Sequence, residues 1–168
     1  MGRIVHFINK INERVGLADS YLIYILTGLM LFAIVMRHFL NLPNIWSFEV
    51  CQFIYGAFFI LAGGYALRHR LHVTMDILYN RFSLRGQAII DLVTSIFFFI
   101  FVGLIVWTGW EGGWRSLQIR EATDSAWGPP VYPIKLVIPV GGFLLLIQGI
   151  SKFLTDLSTA IGREPSEH

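Results

Sequence analysis

Apolar and charged positions alternate along this chain on the scale of tens of residues. Seventeen uncharged residues separate Asp19 from Arg37, eighteen Glu49 from Arg68, nineteen Asp91 from Glu111 and sixteen Lys135 from Lys152. A bilayer core about 30 Å thick is crossed by about 20 helical residues. Each run reaches that length once flanking residues that extend to the interface are counted. The pattern predicts an all-α integral membrane protein with four transmembrane helices, at about 18–39, 46–67, 85–110 and 133–154. Two shorter stretches are two-faced instead. Residues 1–17 place Ile4, Phe7, Ile8, Ile11 and Val15 at helical spacing with basic residues between them. That predicts a short amphipathic N-terminal helix at the membrane surface. In "HRLHVTMDILYNRFS", Leu71, Met75, Leu78 and Phe82 share one stripe, and His72, Asp76, Asn80 and Ser83 another. An interfacial helix over about 71–83, lying flat between spans 2 and 3, is the expectation. The 22 residues from Glu111 to Tyr132 form the sizeable loop, with turn chemistry at Gly128-Pro129-Pro130, and residues 155–168 form a polar tail.

Composition narrows the picture. Charged residues make up 14% of the chain, against about 25% in an ordinary soluble domain. One cysteine, Cys51, excludes an intramolecular disulfide and a cysteine-cluster metal site. A dispersed net charge of +2 gives nucleic acid nothing to grip. The first apolar run is too long for a signal-peptide core and ends in Met36-Arg37-His38, not in small residues. Of the 13 Lys and Arg, nine fall on the side of the termini and four on the other. This bias predicts both termini in the cytoplasm. All five tryptophans lie at or beyond the opposite membrane face, as an interfacial aromatic belt does.

The residues able to carry chemistry are few. Glu49, Gly56, Gly63 and Arg70 are spaced by sevens and share one face of the second span, where small residues admit another helix. Glu49 reads either as an ion-coupling carboxylate or, from its place at the span's edge, as the partner of Arg37 across the short turn. Asp91, inside the third span, reads as a proton relay or as a partner of Arg68, Arg81 or Arg85; the nearby arginines favour the pair. His72 and Asp76, four apart, project to one side, but two ligands are too few for a metal site, so a hydrogen-bonded pair is expected. Pro139 and Gly141-Gly142 interrupt only the start of the fourth span, with no matching break elsewhere, so no paired-hairpin substrate site is expected. Gln148 is the one polar side chain in "GGFLLLIQGI". Glycines 56, 63, 103, 141 and 142 suit contacts with a larger partner. The reading is of an accessory membrane subunit with no catalytic, substrate-binding or metal-binding residues. A haem or quinone anchor and a self-sufficient small exporter are the alternatives.

Several features in order resemble the small membrane subunit of TRAP (tripartite ATP-independent periplasmic) transporters. They are Arg37-His38-Phe39 ending the first span, Asn41 and Pro43 in the turn, Trp46 and Glu49 opening the second span, Gly63-Gly64 late in it, and His72-Val73 with Asp76 after it. His38 stands where the family more often has Tyr, and a single Glu49 where two acidic residues are common. The resemblance implies a scaffold subunit without cofactors. It implies as partners a large permease subunit holding the sodium and substrate sites, a periplasmic solute-binding protein, and membrane lipids. It also implies a multi-pass protein of the bacterial inner membrane that serves import of an organic acid or related solute, with His72 and Asp76 bracing the corner between spans 2 and 3.

Overall fold

The computed structural model describes residues 2–42, 44–69 and 84–161. Four helices account for nearly all of them: α1 (Gly2–His38), α2 (Ile45–Arg68), α3 (Leu84–Gln118) and α4 (Tyr132–Ala160). Each is long and apolar enough to cross a membrane. The chain is an all-α, multi-pass membrane protein. The expected flat helix over 71–83, with His72 and Asp76, and Arg70 just before it, lie outside the described residues.

The N-terminal stretch differs from expectation. Residues 2–17 are not a separate helix but the first turns of α1, which runs unbroken for 37 residues, about 55 Å at about 1.5 Å per residue. No proline interrupts it, and its polar stripe has work inside the bundle. Asn9, Asn12, Gly16 and Asp19 follow one another at steps of 3, 4 and 3 residues, and Asn12 and Asp19 are buried at 2% and 4% exposure. Phe7, placed on the lipid-facing stripe, is indeed exposed.

The helices pack in the lateral order α1, α2, α4, α3. α4 packs extensively on α3 and next on α2, α2 also on α1, and α3 almost wholly on α4. Without a hydrophobic gain between helices in lipid, such seams depend on close approach at small residues. Gly141 lies so close to α2 that an added Cβ would fall 2.8 Å from the Ile60 carbonyl oxygen, and one on Gly142 would fall 2.9 Å from Val106 Cγ2 of α3. Gly56 and Gly63 face Ile134 and Leu145 in the same α2–α4 seam. Four of the five glycines expected at a partner's surface are therefore used within the chain itself; only Gly103 looks onto open space.

Pro139, buried inside α4, has no N–H for the Lys135 carbonyl. Gly113 of α3 fits against that carbonyl, its would-be Cβ 3.3 Å from the oxygen, so the break in α4 becomes part of the seam. α3 is stopped by left-handed Arg120 (φ 48°) just beyond its end, with Glu121 N–H donating to the Ser116 carbonyl at 3.0 Å. This is a left-handed helix stop, with arginine where glycine is usual.

Candidate functional site

Polar side chains gather at the end of the bundle that carries the chain termini. Asn12 Nδ2 donates to Gln148 Oε1 at 3.0 Å, and Gln148 Nε2 donates to Asn9 Oδ1 at 3.0 Å. Ser151 Oγ donates to the same Asn9 oxygen at 3.3 Å. The helix phase that lines up Asn9 and Asn12 thus meets the α4 face carrying Gln148 and Ser151. Gly64 leaves the room Asn12 occupies, since a Cβ there would overlap the Asn12 side-chain oxygen. Beside this network, Arg68 Nη1 donates to Glu13 Oε2 and to the Asn9 carbonyl, both at 2.7 Å. Lys152 Nζ lies 2.6 Å from Asp91 Oδ2 and 3.4 Å from Asp156 Oδ2. All four helices are tied together here.

Asp91 is therefore in an ion pair, as one of its two readings held, but its partner is Lys152. Arg68 is committed to Glu13 and the start of α1. Asp91 and Lys152 face each other because α3 and α4 are direct neighbours, whereas α2 lies on the far side of α4.

The opposite end is organised differently. The expected Arg37–Glu49 pair does not form. Ser47 and Cys51 line an open groove beside Arg37 and His38 on the α1 side of α2. Glu49, two residues past Ser47, is turned by about 200° around the helix, to the face that carries Gly56 toward α4. Its Oε2 is shielded from solvent and has no hydrogen-bond partner among the described residues. Trp46 is 40% exposed, and its ring lies 6.0 Å from that of Phe32. The long loop is fastened by Lys135 Nζ to Glu121 Oε2 at 2.5 Å, and by Val131 N–H to the Glu121 carbonyl. The Lys135 ammonium holds the Glu121 carboxyl below its ordinary value of 4.5.

Sequence reasoning singled out Gln148 only as an isolated polar residue and overlooked Asn9, Asn12, Asp19 and Ser151. The signal was present in the 3-4-3 spacing of Asn9, Asn12, Gly16 and Asp19. Asp19 Oδ1 is also buried without a hydrogen-bond partner among the described residues. Among those residues no three His, Cys, Asp or Glu side chains converge as metal ligands would.

This chain is similar over 120 residues, at 28% identity, to a Haemophilus influenzae protein named as a TRAP transporter small permease; the match covers 71% of this chain and 70% of that one. Residues 26–159 match the family described as tripartite ATP-independent periplasmic transporters, DctQ component. That match takes in the α1–α2 turn and all of α2 and α3, and it ends one residue short of the end of α4. The chain thus belongs to the DctQ component family of tripartite ATP-independent periplasmic transporters.

Proposed function

We propose that this chain is the non-catalytic scaffold subunit of a sodium-coupled importer of an organic acid or related solute. It works in the bacterial inner membrane, with both termini cytoplasmic, beside a large permease subunit and a periplasmic binding protein. One observation carries the reading: the ion pairs and amide bonds within the bundle gather near its two ends and are spent on holding helices together. Asp91 is taken by Lys152, Arg68 by Glu13, and Gln148 by Asn9 and Asn12. The seam between them is built of glycines against Ile60, Ile134 and Leu145. A desolvated anion with its sodium ions needs several convergent dipoles or charges at mid-depth, and these the large subunit supplies.

The test is reconstitution. Liposomes holding the large subunit and this chain, supplied with binding protein, should show sodium-driven uptake that falls at least tenfold when this chain is left out. Saturable uptake by this chain alone overturns the scaffold reading and revives the small exporter.

A further inference from the structure

Between the last turns of α1 and the first turns of α2 lies an open groove of about 230 Å³. Its ends differ in chemistry. Near the turn that joins the helices it is lined by Arg37, His38 and Asn44; farther along α1 and α2 it is lined by Met30, Ile34 and Phe48. Asn44 is already engaged, since its side chain accepts from Ser47 N–H and its carbonyl accepts from Ser47 Oγ. Arg37 and His38 are exposed, and neither has an ion-pair or hydrogen-bond partner among the described residues. They are the groove's uncommitted donors.

Size and direction together select the occupant. Sites that enclose a small organic molecule measure about 300–1,000 Å³; this groove is smaller and open, the shape for one hydrocarbon chain lying along it. Because α1 and α2 cross the membrane, the Arg37–His38 end sits at headgroup level and the Met30 end points toward the bilayer interior. A guanidinium and an imidazole donor above an apolar slot match a phospholipid in both polarity and orientation. Phosphate oxygens accept charge-assisted hydrogen bonds from a guanidinium, and an acyl chain shares the slot's apolar walls. We propose that the groove binds one phospholipid of the surrounding leaflet, its phosphate held by Arg37 and His38 and one acyl chain lying against Met30, Ile34 and Phe48. Exposed Trp46 flanks the site at the level where tryptophan settles in a bilayer. The lipid then fills the open side of a corner that the chain leaves without an internal ion pair.

The full-length chain in detergent, titrated with phosphatidylglycerol and read by native mass spectrometry, should retain one lipid. Arg37→Gln, which removes the charge, and Ala33→Phe, which fills the slot at an alanine that also lines it, should each weaken retention about tenfold, the loss of one charge-assisted contact or of the chain's seat. Glycerol phosphate, which has a headgroup and no chain, should not displace the lipid. Unchanged affinity in either variant, or displacement by glycerol phosphate, overturns the site. A second measurement needs no variant: phosphatidylglycerol with a photoreactive acyl chain should label residues 30–38 and 44–51 well above the exposed face of α3. Equal labelling of the two surfaces also overturns it.

Discussion

At the end carrying the chain termini, α1 of the first hairpin reaches α4 of the second through Asn9 and Asn12, while Arg68 and Lys152 tie α2 to α1 and α4 to α3 within their own hairpins. At the other end the corresponding contacts stay within one hairpin: Phe32 with Trp46 in the first, Glu121 with Lys135 in the second. The amino acids at the two ends are of similar kinds; what differs is whether a polar partner lies in the other hairpin. Bonds between the hairpins fix how the two sit together, whereas bonds within a hairpin leave that geometry to the glycine seam between α2 and α4. One end of the molecule is self-sufficient, and the other has polar groups to spare for neighbours.

The comparison breaks most readily at the seam on which both ends depend. Gly141→Val sets a side chain against the Ile60 carbonyl and should cost about 3 kcal/mol, the upper range of overpacking. It is checked by detergent unfolding followed by circular dichroism. Gly103→Ala, facing open space, should be neutral or stabilise by up to about 1 kcal/mol through helix propensity. Next is the termini end: Asn12→Leu strands the Gln148 carbonyl oxygen and should cost about 1–2 kcal/mol in the same measurement. If Asn12→Leu is silent, the two ends are energetically alike and the contrast fails. Glu49→Gln sharpens it from the other side. No partner is lost among the described residues, so isolated stability should hold within about 0.5 kcal/mol, while co-purification with the large subunit falls several-fold.

The smallest effect is one of pH. Lys135 lowers the folded-state pKa of Glu121, so the folded form takes up that proton less readily than the unfolded form. The resulting stability is present above 4.5, the ordinary carboxyl value, and is lost as the pH falls below it through the folded pKa. Glu121→Gln should flatten that part of the stability-versus-pH curve, most visibly in Trp127 fluorescence from the same loop. An unchanged slope means that the loop is held by its backbone bonds alone.

The four spans were legible because uncharged runs report directly on membrane crossing. Pairing was not, because it depends on the lateral order α1, α2, α4, α3, which span-by-span reading does not contain. Nearness in sequence suggested Arg37 with Glu49, yet a shift of two residues from Ser47 turns Glu49 to the other side of α2. Nearness to one membrane face suggested an arginine for Asp91, yet among the described helices α3 packs mainly on α4, and Lys152 is on α4. The glycines were recognised as contact residues, but whether they met this chain or another depended on that same order. In the N-terminal stretch the apolar residues caught the eye first. The buried stripe was the polar one, because membrane helices turn amides toward protein, where they can be bonded.

The reliance of α3 on α4 bears on how the chain is made. During synthesis α1 and α2 are complete early and can pair as a hairpin, while α3 enters the bilayer with its main described neighbour, α4, still untranslated. Asn12 and Asn9 wait for an amide 136 and 139 residues away, and Asp91 waits for an ammonium 61 residues away. Contacts of such separation close late, and until then the Asn9 amide and the Asp91 carboxylate lack the partners of the finished bundle, while Asn12 keeps its bond to the Ile8 carbonyl of its own helix. A polar group left unpartnered in the bilayer costs several kcal/mol. A nascent or truncated chain that stops before Gln148 therefore carries a built-in mark of incompleteness at the membrane surface. Translation of α4 erases that mark in one step.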